Sequence, residues 1–187
     1  MFFKKKEKSQ EEKFYSIGKE IAPLFIECTK ELLMPGFFKL VREIEKEYNI
    51  EPQNDDLKKC FLEVLSIHLL FFDITLSSSF DDKTRNHLIA ALMANIAKEL
   101  FFEIGYPIND VIEHFDETRN IYFESYHEGG FGRLAWVMGK RLAAFAGHAE
   151  DVAFIMGAES YFSKILVDAK ENMYIPIIEG IIKPKIK

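Results

Sequence analysis

Cysteine is scarce in this chain and tryptophan scarcer: two Cys and one Trp stand against 18 Phe. Cys28 and Cys60 make no CxxC pair and no disulfide framework. Both fall on apolar helix faces and read as buried free thiols, behaving as small hydrophobes. That usage suits a reducing compartment, with the cytoplasm as the default location. HExxH, GxSxG and P-loop patterns are missing, so spacing gives no support for an enzyme. A secretory segment is also lacking, because MFFKKKEKS runs straight into QEEK with no apolar stretch behind it. No membrane span is expected, since the greasiest window, 60–80, is broken by Glu63, His68 and Asp73. A basic excess is absent as well: the formal net charge of −6 argues against a general nucleic-acid binder. Strand-like alternation, internal repeats and low-complexity stretches are not found.

What is present is an ordinary globular composition, 48% hydrophobic and 29% charged over 187 residues, enough for one domain with a sizeable core. The charge is uneven. Lys4, Lys5, Lys6 and Lys8 make the N-terminus basic, and Lys183, Lys185 and Lys187 do the same for the C-terminus. Three parts follow: a basic flexible segment 1–8, a helical bundle 9–174, and an Ile- and Lys-rich arm 175–187. Phe2 and Phe3 beside the N-terminal lysines would also suit weak contact with an anionic membrane surface.

The stretch 57–80 predicts a long central helix, apolar around most of its circumference, with Lys59, Glu63, Ser66, Asp73 and Ser77 in one narrow polar strip. Around it the 3.6-residue period predicts an all-α bundle of about seven helices. Ser9 and Glu12 form a capping box for the first, whose inward face carries Phe14, Ile17, Ile21, Phe25, Cys28 and Leu32, and which Pro35-Gly36 should end. A short helix follows with Phe37, Leu40, Val41, Ile44 and Tyr48 inward and Glu45 among the solvated residues. Asn54 or Asp55 is expected to cap the central helix. Later helices cover about 82–104, 109–128, 132–146 and 149–172. Gly132, Ala135, Gly139, Ala143 and Ala146 form a row of small residues that should let two helix backbones approach closely. Pro176, Gly180 and Pro184 speak against continuous helix in the arm.

Candidate sites are few. His68 and Thr75 are the two polar residues facing away from the strip. The histidine has the chemistry of an axial haem ligand, or of a contact to a small apolar ligand. Its plainer role is a neutral core histidine donating to a carbonyl or to Thr75. Glu124-x-x-His127 has the spacing of half a di-iron carboxylate site, but the element occurs once where such bundles need it twice. Gly130, Gly132 and Arg133 form a glycine-rich turn ahead of a helix, the chemistry of an anion cradle. His87, His114 and His148 suit surface or capping positions. The favoured expectation is an interaction module, homodimeric through the C-terminal arm. A haem- or apolar-ligand sensor and a di-metal oxidoreductase are the rivals.

Overall fold

The computed structural model describes residues 9–49 and 57–186. The basic segment 1–8 and the cap expected at Asn54 or Asp55 lie outside the described residues. Within them the chain is all-α with no strand, and its helices make five lengths, not seven, the fourth of them interrupted at Gly129-Gly130. They are α1 (residues 10–47), α2 (Leu57–Leu76), α3 (Asp82–Ile104), α4 (Ile108–Phe145) and α5 (residues 152–186).

Local chemistry sets several ends. Ser9 N–H donates to Glu12 Oε2 at 2.8 Å while Glu12 N–H donates to Ser9 Oγ at 3.2 Å, so the capping box closes. Asp81 caps α3 by accepting from the Thr84 amide at 2.8 Å. Gly105 ends it at φ 70°, a left-handed conformation suited to glycine. Inside α4 the helical dihedrals fail at Gly129 and at Gly130, where φ is 64°, and the rod bends there.

Helix continues past Pro35 and through the arm for one reason. Pro35-Gly36 does not end α1, and the Ile-rich arm is helix through Ile186. In each case a π turn precedes the proline: Thr29–Leu33 before Pro35, Lys170–Tyr174 before Pro176, and Ile178–Ile182 before Pro184. Met34 N–H bonds to Thr29 O, Ile175 N–H to Lys170 O and Lys183 N–H to Ile178 O, one residue further back than in an α-helix. A proline ring normally strikes the carbonyl four residues earlier. Widening the turn moves that carbonyl aside, so the helix passes through.

The extra residue also rotates the buried face by about 100°. Leu32, expected inward, is 66% exposed, whereas its neighbour Leu33 is 1% exposed. The arm is likewise covered by its own chain. Tyr174, Ile177, Ile178 and Ile182 are buried in one apolar cluster with Phe25 of α1 and Phe72 of α2.

Helix α2 touches each of the other four helices. Leu62, Leu65, Leu69, Phe72 and Leu76 project into that cluster, which also holds the inner faces of α1 and α3. Cys60, Val64, Ile67 and Leu70 project into a second, built with α4, α5 and the latter part of α1.

Close approaches occur where glycine permits them. A Cβ on Gly18 would sit 2.7 Å from the Ala91 carbonyl, at the extensive α1–α3 contact. One on Gly139 would run into the Ile155 carbonyl oxygen of α5, so the small-residue helix is clamped there as expected. Gly132, in the same row, faces open space. Opposite signs are therefore expected in thermal unfolding. Gly139→Val should destabilise by at least ~1–3 kcal/mol through forced separation of the helices. Gly132→Ala should be neutral or stabilise by up to about 1 kcal/mol through helix propensity. Equal effects at the two sites would refute the clamp.

Candidate functional site: a groove between two π turns

Where two of the π turns pass one another, α1 and α5 leave a groove of about 870 Å³. Leu24, Cys28, Leu32 and Leu33 line it from α1, and Ile165, Ala169, Met173 and Ile177 from α5. Its charged lining residues are Glu27, Glu31 and Asp168; no Lys or Arg is among them. Glu27 and Glu31 are one turn apart on the same face of α1. The volume lies within the range of ligand sites, and the lining is mainly apolar. Burial pushes the Cys28 thiol pKa up and so favours its protonated form.

His68 lies in the interior between α1 and α5. Its ring packs on Phe25 at 4.6 Å and on Tyr174 at 5.3 Å between centroids. Phe72 closes the same aromatic layer, 5.0 Å from Phe25 and 5.5 Å from Tyr174. Neither ring nitrogen has a hydrogen-bond partner. Thr75 does not serve it, because the Thr75 hydroxyl donates to Phe71 O at 2.8 Å. Tyr174 bonds to the His68 backbone carbonyl at 3.2 Å, not to the ring. Full burial holds the imidazole neutral and pushes its pKa down to about 3. His68 lines neither the groove nor the small void beside Asp73. For the ring to ligate a haem iron, one of its aromatic neighbours would have to move.

The polar strip of α2 is buried, with its carboxylates paired. Glu63, wholly inaccessible, accepts from Arg141 Nε at 2.6 Å and Nη2 at 2.9 Å, and from the Tyr122 hydroxyl. Thr118 adds a 3.4 Å bond, and His114 Nε2 lies 3.2 Å away, at ion-pair distance but off the line of a hydrogen bond. Burial alone would raise the Glu63 pKa; the His114 and Arg141 side chains and the Tyr122 hydroxyl outweigh it and hold it at about 2. Nearly three turns along, Asp73 accepts from Arg119 at 2.9 Å and faces Arg85 at 3.2 Å. A void of about 20 Å³ beside Asp73 and Arg119 has room for one water molecule.

Two expected surface residues are interior. His148 and Glu45 are both buried, 3.1 Å apart, and the imidazole stacks on Phe154 with 3.6 Å between centroids. Arg42 bonds the other Glu45 oxygen at 2.9 Å. Gly130, Gly132 and Arg133 lie at the bend of α4, where Arg133 faces Glu128 at 3.7 Å. Glu124 and His127 are exposed. Among the described residues no group of three or more His, Cys, Asp or Glu side chains comes together that could hold a metal. No described helix is long and apolar enough to cross a membrane.

The carboxylate and the histidine titrate in separate windows. An unfolded Glu takes up a proton near pH 4.3, and folded Glu63 near 2, so its stabilisation is complete above the first value and lost as pH falls to the second. That interval is worth ~3 kcal/mol. Glu63→Gln should remove this acid limb and, by leaving Arg141 buried without its counter-charge, lower stability at pH 7 by ~3–5 kcal/mol in urea unfolding. An unfolded His protonates near 6.5 and folded His68 near 3, so His68 weakens the fold as pH drops between them. His68→Leu should flatten that part of the pH–stability curve and raise Tm at pH 5; identical wild-type and variant slopes would rule this out.

Compared with family models, curated proteins and solved structures, the chain matches none, so its chemistry is read from its own geometry alone.

Proposed function

We propose that the chain is an interaction module whose docking surface is the α1–α5 groove, and that its occupant is a basic amphipathic segment. The single observation carrying this is an open apolar trough whose charged lining is entirely acidic. Helices that lay an apolar face into a groove use this mode of recognition. Leu32 and Leu24 stay exposed there, 66% and 39%, although the chain buries most of its other leucines. Apolar contact would supply the affinity. Exposed ion pairs add only ~0.2–1 kcal/mol each, so Glu27, Glu31 and Asp168 would chiefly set orientation and exclude acidic partners. The two free thiols fit a cytoplasmic setting.

A small apolar ligand is the second reading, favoured by the groove's volume. One titration separates them. A fluorescein-labelled synthetic helix of leucines and lysines, added to dilute protein, should bind, and binding should weaken about tenfold with Leu32→Lys, the equivalent of ~1.4 kcal/mol. It should weaken further as salt screens the rim. Absence of peptide binding alongside tight binding of a neutral apolar dye that Leu32→Lys abolishes would favour the small ligand.

A further inference from the structure

We infer that the groove's occupant is the N-terminal segment Met1–Lys8 of a second copy of this chain, an inference that rests on the groove reading above. The complementarity is in the residues. Phe2 and Phe3 offer two adjacent rings to a floor of Leu24, Leu32 and Met173, and Lys4, Lys5, Lys6 and Lys8 meet a rim of Glu27, Glu31 and Asp168. The lining contains three acids and no base, and the segment contains four lysines against the single acid Glu7.

Reach decides between a chain's own segment and its neighbour's. Along α1, at 1.5 Å per residue, Glu31 lies ~33 Å from Ser9, where the helix begins. Lys4 stands five residues before Ser9, and fully extended chain spans at most ~18 Å over that distance. A lysine side chain does not close the gap. Helix α5 runs antiparallel to α1, with Tyr161 at Leu33 and Lys185 at Glu20, so Asp168 also lies toward the far end. On the same count a chain's own Phe2 spans at most ~25 Å, past Leu24 but short of Leu32, which lies ~35 Å from Ser9. A segment from another molecule meets no such limit, and a two-fold pair lets each copy fill the other's groove by the same contact.

Complementation tests this with the full chain. By size-exclusion chromatography with light scattering at tens of micromolar, the unaltered chain should show twice the monomer mass. The double substitution Phe2→Asp, Phe3→Asp spoils the segment, and Leu32→Lys spoils the groove; each should halve the mass, with helical circular dichroism unchanged. Leu32 is exposed, and Glu31→Lys serves as a second groove variant. Mixed in equal amounts, the two monomeric variants should regain a species of doubled mass, because one intact segment then finds one intact groove. A monomeric unaltered chain, a variant that keeps the doubled mass, or a mixture that stays monomeric would overturn the inference. If the leucine–lysine peptide still binds in that case, the groove reading survives alone; if it also fails, both fall.

Discussion

A helix as apolar as α2 cannot meet water on any broad side, and every other element is arranged to satisfy that demand. Burying a large aliphatic or aromatic side chain is worth ~1.5–3 kcal/mol, and Leu62, Leu65, Leu69, Phe72, Val64, Ile67 and Leu70 are all spent in this way on two clusters. Enclosure brings a complication. The strip that carries Glu63 and Asp73 goes inside with the rest, and a carboxylate without a partner there would cost far more than one leucine gains. Helix α4 resolves it by placing Arg141, Tyr122 and Thr118 on the first and Arg119 on the second, while α3 sends Arg85. The charged contacts thus fix the register of α4 against α2, which apolar packing alone would leave looser.

His68 obeys a different logic. It receives no counter-charge and no acceptor, only rings. Its neutral form is the one the aromatic layer tolerates, and that layer is where the C-terminal helix, the first helix and α2 meet. Through Phe25 and Tyr174 the same layer packs α1 on α5, the two helices that bound the groove.

Much of the architecture was legible because its signals are local. The Ser9 capping box, the helix over about 82–104 and the central position of α2 each rest on a few neighbouring residues or on periodicity. The clamp at Gly139 was readable for the same reason. The helix count was not: Pro35-Gly36 reads as a stop, yet a π turn that leaves no mark in composition carries α1 past it, and α4 is bent and not ended at Gly129-Gly130. The groove was hidden for the same cause: simple periodicity puts Leu32 inward, and only the rotated turn exposes it. Partners of buried charges were hidden by sequence distance. Glu63 and Arg141 are 78 residues apart, and His148 and Glu45 are 103 apart. A hint was available in the strip itself, because two acids on an otherwise greasy rod must be matched by cations somewhere.

The three widened turns have a genetic corollary. Each holds one residue more than an ordinary turn, as a one-codon insertion would, and the rod absorbs it without breaking, at the expense of phase. Losing a single codon within Lys170–Tyr174 would restore ordinary winding yet swing everything beyond it by about a quarter of a revolution. Ile177, Ile178 and Ile182 would then face solvent and the groove would lose one wall. Length along this segment is therefore fixed more tightly than side-chain identity: a conservative exchange perturbs one contact, whereas a frame-preserving deletion realigns the whole end of the molecule.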